Sequence, residues 1–442
     1  MTVEQTRKLL VVVAVLGIAL GIALFGVHSH KYLDEIPSSD FAINRAAAQQ
    51  MLDGQPLYDR AAARARVRAE AGDAAKEAFL GTYSSFIGPP STALVYTPFA
   101  RVSYGTARTA FRVIELLCML AAILIVGLAV DRRNRLLAWL VGLAALTIFF
   151  PVMSSLALGQ VDGIVLLALA IAVWASVRGR WYVVGAAIGV AVVLKISPWI
   201  VLTFIVLRAG RHWKRVVVGA VGALLVLVVA SAIVGGRPHD LVTWLNDVAP
   251  TLAGGNRSVE NQSVPALLAR LFTGDHDLVE TSTSLGALRS LGYAIGVLGA
   301  VGLWWWRRNR PYAALELGVV ILLALLSGPI SWAHYLSWAI IPLMLIADPE
   351  RLAGRGRRVV AVLVVLGGAT ALVALPVKYP TPEQVAAHWY TRPYSAAGTV
   401  ALLAYLGVAL YLLASEASID APGSGAGAPV ARHATPPVEK IG

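Results

Sequence analysis

The chain has 442 residues, of which 57% are hydrophobic and 14% charged, and its mean hydropathy is +0.70. Apolar runs recur through the whole sequence with polar residues between them, which predicts a polytopic membrane protein and not a soluble one. The net charge of +12 does not indicate nucleic-acid binding, because the lysines and arginines form short clusters between apolar runs. The single cysteine, Cys118, excludes an intramolecular disulfide and a cysteine-based metal cluster.

The basic clusters predict the topology, because lysine and arginine concentrate in cytoplasmic loops. With a cytoplasmic N-terminus, the C-terminus is cytoplasmic too, and six basic clusters fall on that side: 7–8, 132–135, 178–180, 208–215, 307–310 and 351–358. We expect about twelve transmembrane or re-entrant helices in a membrane domain over residues 1–414, with long external loops at 28–103 and 235–285 and a disordered cytoplasmic tail at 415–442. The predicted apolar segments are 8–27, 104–130, 136–151, 155–177, 182–194, 198–207, 216–234, 286–306, 311–327, 334–347, 359–377 and 395–414.

Lys195 is the only cation in an apolar run that is otherwise long enough to cross a bilayer. A lysine at the centre of a membrane helix costs about 2.5–3.5 kcal/mol, so it normally faces a protein interior or an aqueous cavity. Segments 182–194 and 198–207 are each too short to cross, and basic clusters flank both, so the pair is expected to turn back at Lys195-Ile196-Ser197-Pro198.

In the first external loop, the composition of residues 59–79 suggests an interfacial helix. Residues 85–100, broken by three prolines, suggest a re-entrant or interfacial segment.

Polar residues that could meet Lys195 in one cavity occur at the predicted outer ends of the helices. Each also has a structural interpretation. Asp40 precedes a short helix and could be a helix cap; the Gln160–Asp162 pair could bond to a neighbouring helix; Lys195 could extend its amine to the interface. His334 beside Trp332 could be an ordinary interfacial histidine, and Asn261-Gln262 an ordinary loop. Their placement on one side favours a shared site made of Asp40, Gln160, Asp162, Lys195, Arg257, Asn261, Gln262, Trp332 and His334.

The order of these motifs resembles the family 87 glycosyltransferases, which include the mycobacterial phosphatidylinositol-mannoside and lipomannan mannosyltransferases. The resemblance spans most of the chain, most strongly residues 38–340. Tyr335 stands where the family pattern has a second histidine, and Asp162 where asparagine is common. The motifs that carry the resemblance are Asp40 after the first span, Phe86 with Pro89-Pro90, GQV at 159–161, LKISP at 194–198, NQS at 261–263 and SGPISWAHYLSW at 327–338.

The resemblance implies a membrane-embedded GT-C fold and an inverting transfer of one sugar, most simply mannose, from a polyprenyl-phosphate donor to a lipid-linked or glycan acceptor at the outer face of the plasma membrane. It implies that Asp40 and His334 are catalytic. Transfer to a hydroxyl needs a base and stabilisation of the departing phosphate, roles suited to Asp40 and to Lys195 with Arg257 and His334. Gln160, Asp162, Asn261, Gln262 and Trp332 complete the expected donor site.

We expect no cofactor and no obligatory metal, because no cluster of hard oxygen ligands stands out in the sequence. Two alternatives stay open at this point. One is an arabinofuranosyltransferase of the same fold that uses a polyprenyl-phosphate arabinofuranose donor. The other is a lipid or sugar transporter or flippase, in which the broken 182–207 pair would form a binding site at the midplane of the membrane.

Overall fold

The structure, a computed structural model, describes residues 1–29, 39–71, 86–256, 258–272, 285–353, 357–375 and 396–419. Within these ranges the protein is helical, and one isolated antiparallel bridge joins Asn261 to Trp332. The helices are α1 Val3–Ser29, α2 Ser39–Leu52, α3 Arg60–Ala71, α4 Pro90–Tyr96, α5 Tyr104–Ala129, α6 Arg135–Ile148, α7 Phe150–Leu158, α8 Asp162–Val177, α9 Trp181–Leu194, α10 Trp199–Arg208, α11 Trp213–Gly235, α12 His239–Thr243, α13 Ala249–Ala253, α14 Val264–Phe272, α15 Ala287–Arg307, α16 Ala314–Ser327, α17 Ile340–Ile346, α18 Pro349–Leu352, α19 Arg357–Ala374 and α20 Ala397–Ile419.

Helices form at each of the predicted apolar segments, as expected for a polytopic membrane protein. Five of the described helices are long and apolar enough to cross a membrane: α1, α5, α11, α15 and α20. The count rises to six if the bent pair α6 and α7 forms one span. The number of crossings and the sides of the termini therefore stay predictions.

The helix predicted over 155–177 is wrong, because the chain breaks inside it. Helix α7 ends at Leu158, and Gly159 follows with a left-handed φ of 71°, a conformation that only glycine adopts easily. Helix α8 then begins at Asp162. Between α6 and α7 the axis bends by 61°. The break leaves Gln160 in a linker between helices, at the edge of the site described below.

Helices α9 and α10 turn back on one another, as the sequence predicts. Trp181 at the start of α9 stacks on His212, which follows α10, with ring centroids 5.9 Å apart. Helix α11 then runs parallel to α9 at close range, because Gly185 and Gly189 pack against the backbone of Val216 and Ala220. A side chain at either glycine would overlap these carbonyls, so the small residues allow the close approach.

The polar turn between α9 and α10 lies at one end of the bundle, and arginine-rich links lie at the other. Helices α5, α8 and α9 each join an arginine-rich link at one terminus and approach the site at the opposite terminus. We call these the basic end and the cavity end. Helix α16 forms part of the core and is buried on every side from Leu315 to Ser327, as expected for an apolar helix enclosed by others.

Short helices cover the cavity end. Helix α2 packs against α3 and α4, with Ala42, Ala46 and Val67 in one small apolar cluster. Helix α3 confirms the helix predicted from residue 59, although residues 72–79 lie outside the described part. In the predicted segment 85–100, helix α4 is followed by a 3₁₀ turn at Thr97–Phe99. Helix α20 continues past Ser415 to Ile419. The rest of the predicted disordered tail, residues 420–442, lies outside the described part, so the tail stays a prediction.

Candidate active site

The linker at Gly159-Gln160 contacts helices α2 and α4. The carbonyl oxygen of Gly159 accepts a hydrogen bond from the Tyr96 hydroxyl at 2.8 Å, and a side chain at this position would overlap Phe41. Gln160 is thereby held beside the first turn of α2. Its Nε2 donates to Oδ2 of Asp40 at 2.5 Å, so the carboxylate predicted from the first external loop faces the membrane helices.

Lys195 lies at the break between α9 and α10. Its backbone is extended, with φ −143° and ψ 122°, and Pro198 lacks the N–H that would continue the helix. The break leaves carbonyls of α9 without helical partners, and α4 satisfies two of them. Ser91 Oγ donates to the carbonyl of Val193 at 3.2 Å, and Thr92 Oγ1 to that of Leu194 at 3.4 Å. The double-proline segment therefore stabilises the turn that presents the lysine.

The amine of Lys195 is surrounded by four side chains from different parts of the sequence. Nζ lies 3.0 Å from Gln160 Oε1, 3.2 Å from Asp162 Oδ1 and 3.3 Å from His334 Nε2. It also lies 3.8 Å from the centre of the Tyr335 ring, in cation–π contact. Asp40, Gln160 and Lys195 are consequently linked in one hydrogen-bonded chain that His334 joins.

Asp162 is the buried counter-ion of the lysine and does not line the cavity. It is fully buried in the first turn of α8, and Ser155 Oγ donates to its Oδ2 at 3.2 Å. The charge of Lys195 is therefore already paired within the protein. As a direct sugar ligand Asp162 remains a prediction, and the geometry favours a role in holding the lysine.

Two residues of this cluster were absent from the sequence prediction. Glu115 of α5 is fully buried and accepts a hydrogen bond from the Gly163 N–H at 2.5 Å, which caps α8 from a neighbouring helix. Tyr335 forms the wall beneath Lys195. Glu115 had a detectable signal, since it is the only carboxylate in the apolar segment 104–130. For Tyr335 the signal was its place in the motif, where the family pattern has a second histidine, but an aromatic residue in an apolar stretch is usually a packing residue.

A cavity of about 520 Å³ opens beside the cluster, within the size range of small-molecule sites. Asp40, Gln160, Lys195 and His334 form its polar wall. Most of the other lining residues are apolar, so the cavity can hold both a polar headgroup and part of a hydrocarbon chain. The apolar lining includes Ile196, Trp199, Leu252, Tyr293 and Ile330.

The remaining predicted site residues differ in their placement. Trp332 lines the cavity. Asn261 and Gln262 are buried, do not line it and have their amides bonded to neighbouring segments. Arg257 lies outside the described residues. The structure thus brings Asp40, Gln160, Lys195, Trp332 and His334 to one cavity and places Asp162, Asn261 and Gln262 behind its wall.

In the described part of the chain, no group of three or more histidine, cysteine, aspartate or glutamate side chains could hold a metal ion. The expectation of metal-independent activity stays a prediction.

The model of the family described as Glycosyltransferase family 87 matches residues 86–329, more than half of the chain. The chain belongs to glycosyltransferase family 87. The matched region contains most of the cavity lining, including Gln160 and Lys195, while Asp40 precedes it and His334 follows it. As a member of this family the protein is a membrane glycosyltransferase.

The chain is similar to mycobacterial mannosyltransferases and to a corynebacterial arabinofuranosyltransferase. The polyprenol-phosphate-mannose-dependent alpha-(1-2)-phosphatidylinositol mannoside mannosyltransferase of Mycobacterium tuberculosis is 26% identical over 391 residues, covering 85% of this chain and 84% of the relative. A pentamannoside mannosyltransferase of Mycolicibacterium smegmatis is 27% identical over 73% of this chain and 76% of its own length. An alpha-(1->3)-arabinofuranosyltransferase of Corynebacterium glutamicum is 23% identical over 64% of this chain and 61% of the relative.

Proposed function

We propose that the protein transfers one mannosyl residue from a polyprenyl-phosphate donor to a lipid-linked or glycan acceptor, with inversion at the anomeric carbon, on a GT-C fold. The observation that carries the proposal is the hydrogen-bonded chain of Asp40, Gln160 and Lys195 along one cavity wall. It connects a carboxylate to a buried ammonium group. The mycobacterial mannosyltransferase relatives support the choice of donor.

In the proposed reaction, the two ends of the hydrogen-bonded chain, Asp40 and Lys195, have separate tasks. The acceptor hydroxyl attacks the anomeric carbon, and the bond from that carbon to the phosphate oxygen breaks. The hydroxyl proton passes to Asp40, and the bonding electrons leave with polyprenyl phosphate. Lys195 and His334 stabilise the leaving phosphate, where fixed charges act more strongly than in water. Asp162 keeps the lysine oriented, and Trp332 and Gln160 border the bound sugar.

Arabinofuranose is the second candidate donor sugar, because the corynebacterial relative is an arabinofuranosyltransferase. The decisive experiment supplies the purified protein in nanodiscs with each polyprenyl-phosphate sugar and with phosphatidylinositol mannoside acceptors. We expect release of polyprenyl phosphate and a glycosylated acceptor with the mannose donor. Consumption of the arabinofuranose donor alone would replace mannose in the proposal, and consumption of neither donor would refute it.

The variant Asp40→Asn tests, in the same assay, whether Asp40 is the general base. Asparagine retains an oxygen that can accept from Gln160 Nε2, but it cannot take the acceptor proton. We expect transfer to fall by about 10²- to 10⁴-fold, the usual contribution of general-base catalysis, with unchanged thermal stability. Activity above a tenth of the wild-type rate would show that Asp40 is not the base.

We place the cavity on the external side of the plasma membrane, because the arginine-rich links lie at the opposite end of the helices. Cysteine labelling in intact cells tests this orientation in a Cys118→Ser background. Gln55→Cys, exposed at the cavity end, should react with an impermeant maleimide, and Arg133→Cys, exposed at the basic end, should react only after lysis. The reverse pattern would move the reaction to the cytoplasmic face.

A further inference from the structure

The arginines at the basic end of the helices differ in whether a carboxylate balances their charge. Arg208 and Arg307 each lie within 3.1 Å of a carboxylate oxygen. Arg178 and Arg180, in the link between α8 and α9, form no ion pair within the described part of the chain. The surrounding sequence cannot supply a partner either, because residues 163–239 contain no aspartate or glutamate.

Both guanidinium groups of this link lie against the indole of Trp174, in the last turn of α8. The Cζ atoms of Arg178 and Arg180 are 4.6 Å and 5.0 Å from the centre of the ring, in cation–π contact. Nη2 of Arg178 also donates to the carbonyl of Leu128 at 3.2 Å, near the end of α5. The ring and this carbonyl therefore hold two like charges close together.

A third arginine, Arg135 at the start of α6, adds to the positive charge at this place. Burial, followed by the positive charges of Arg135 and Arg180, lowers the pKa of Arg178 from its usual value. Guanidinium groups nevertheless stay charged at neutral pH. We call Arg135, Arg178 and Arg180 the arginine cluster. Because its members repel one another, an anion bound among them would be stabilised.

The arginine cluster has N–H donors available for such an anion. The guanidinium of Arg180 makes no hydrogen bond to another residue that the structure describes. Arg178 donates one N–H to the Trp174 carbonyl at 3.4 Å and another to the Leu128 carbonyl, of the five N–H groups that an arginine carries. The planar fork of these donors matches the oxygens of a phosphate group.

The side chains beside the arginine cluster indicate where the phosphate comes from. Leu136 is 64% exposed, Val177 45% and Tyr182 55%. Exposed apolar side chains on membrane helices face lipid, and tryptophan and tyrosine are enriched at the level of the headgroups. A lipid can thus place its phosphate on the arginines and its acyl chains on these apolar side chains, which a free phosphate ion cannot do.

We propose that Arg135, Arg178 and Arg180 form a binding site for the phosphate of an anionic membrane lipid, with Trp174 holding two of the guanidinium groups in place. A lipid with net negative charge is favoured over a zwitterionic one, because the cluster repels a cationic headgroup. The site lies at the basic end of the helices, so it is independent of the transfer reaction at the cavity end.

The experiment measures lipid binding directly. Purified protein in a nonionic detergent is titrated with short-chain phosphatidylglycerol at physiological salt, and native mass spectrometry reports the bound lipids. Arg180→Gln removes one charge from a side chain that holds no other part of the described structure, so it should fold as the wild type does. We expect the affinity of one lipid site to fall about tenfold to a hundredfold, as for loss of hydrogen bonds to a charged group. Unchanged affinity would overturn the proposal.

The matched control is Arg133→Gln, which removes one exposed arginine from the neighbouring link at the same end. It should change the affinity by less than about twofold, because solvent screens an exposed charge that does not contact the lipid. A loss equal to that of Arg180→Gln would overturn the site, since it would indicate a general effect of positive charge. Arg180→Lys keeps the charge without the planar fork and should lie between wild type and Arg180→Gln.

Inorganic phosphate distinguishes a lipid from a soluble ligand. Added in excess to the complex of wild-type protein with phosphatidylglycerol, it should leave the lipid bound, because it gains nothing from the apolar side chains beside the arginines. Displacement of the lipid at equal concentrations of the two probes would assign the arginine cluster to a soluble phosphate and overturn the lipid site.

Trp174→Leu tests whether the indole positions the cations. It removes the aromatic ring and leaves every arginine in the chain. We expect phosphatidylglycerol affinity to fall by about twofold to fivefold, in line with a cation–π contact at an exposed site. Wild-type affinity in folded Trp174→Leu would overturn the role given to the ring.

Discussion

The protein has buried charge clusters at both ends of its helices, and they differ in their relation to the cavity. At the cavity end, Lys195 pairs with Asp162 and also lines a 520 Å³ space. At the basic end, Glu316 accepts from Arg208 Nε at 2.8 Å and from Arg307 Nε at 3.1 Å. Lys195, Asp162, Arg307 and Glu316 are all less than 9% exposed, so burial does not distinguish the clusters.

The two clusters differ in whether a charged side chain remains accessible to a ligand in the candidate site. The oxygens of Glu316 also accept from the Ala313 N–H at 3.2 Å, and the cluster joins the ends of α10, α15 and α16. Glu316 does not line the candidate site. Lys195 instead has one side turned to a cavity that also contains Asp40 and His334. Arg307 also borders a space, of about 480 Å³, but Asp40 and His334 do not line it. The two clusters are therefore distinguished by the side chains that share the space with the buried charge, and not by the presence of a space.

The largest effect should come from breaking the basic-end cluster. Glu316→Ala leaves two largely buried arginines without their counter-ion, and we expect stability to fall by about 3–5 kcal/mol. Thermal unfolding in detergent would measure the loss. Transfer activity per folded molecule should stay near wild type. Glu350→Ala, an exposed acid at the same end, is the control and should change stability by less than about 0.5 kcal/mol.

Loss of transfer at unchanged stability in Glu316→Ala would contradict the comparison, because it would mean that the basic-end cluster also serves the reaction.

Removing the charge of Lys195 in the cavity cluster should weaken binding of the donor. Lys195→Met should weaken binding of the polyprenyl-phosphate sugar by about 2–4 kcal/mol, and Lys195→Arg should be intermediate. Because Lys195→Met also leaves Asp162 buried without its cation, stability should fall as well. The double variant Lys195→Met with Asp162→Asn removes both charges and should recover stability without recovering affinity.

Donor titration of the folded double variant is the critical measurement. Wild-type affinity there would remove Lys195 from the donor site and weaken the case for a lipid-phosphate donor.

The contrast between these clusters also shows what the sequence could predict. Lys195 was identifiable because it is isolated in an apolar run. Glu115 gave a weaker signal, as the only carboxylate in the segment 104–130, and Glu316 lies close to the arginine-rich link before α16. Helix positions followed well from hydropathy. The break at Gly159 was missed because apolar stretches lie before and after the sequence GQVD, and hydropathy does not reveal a left-handed turn.

The direction in which a polar side chain points could not be predicted. Asn261 and Gln262 belong to a motif that suggests sugar contacts, yet both amides turn into the protein and hold the loop. Glu260, one residue earlier, lines the cavity. In a loop without periodicity, this choice depends on which backbone groups of distant segments need partners, and tertiary packing decides that.

The smallest effect on stability should come from a set of ion pairs that is exposed to solvent. Asp53 accepts from Arg101 at 2.6 Å and contacts Arg66 at 2.8 Å, but its side chain is 28% exposed and that of Arg101 is 65% exposed. The hydrogen bond from Arg101, followed by that from Arg66, lowers the pKa of Asp53 below its usual value. We expect Asp53→Asn to cost less than about 1 kcal/mol of stability at neutral pH, since solvent screens exposed pairs.

The stability cost of Asp53→Asn should depend on pH and on salt, and the salt dependence distinguishes this exposed ion-pair set from the buried clusters. A carboxyl whose pKa is lowered by folding contributes its stability above its ordinary pKa of about 3.9 and loses it as pH falls through the lowered value. The stability difference between wild type and Asp53→Asn should therefore vanish in strong acid. It should also shrink in 1 M salt, where the screening length is about 3 Å. A difference above about 2 kcal/mol that persists in high salt would place Asp53 with the buried clusters, and solvent exposure would then no longer explain why the three sets differ.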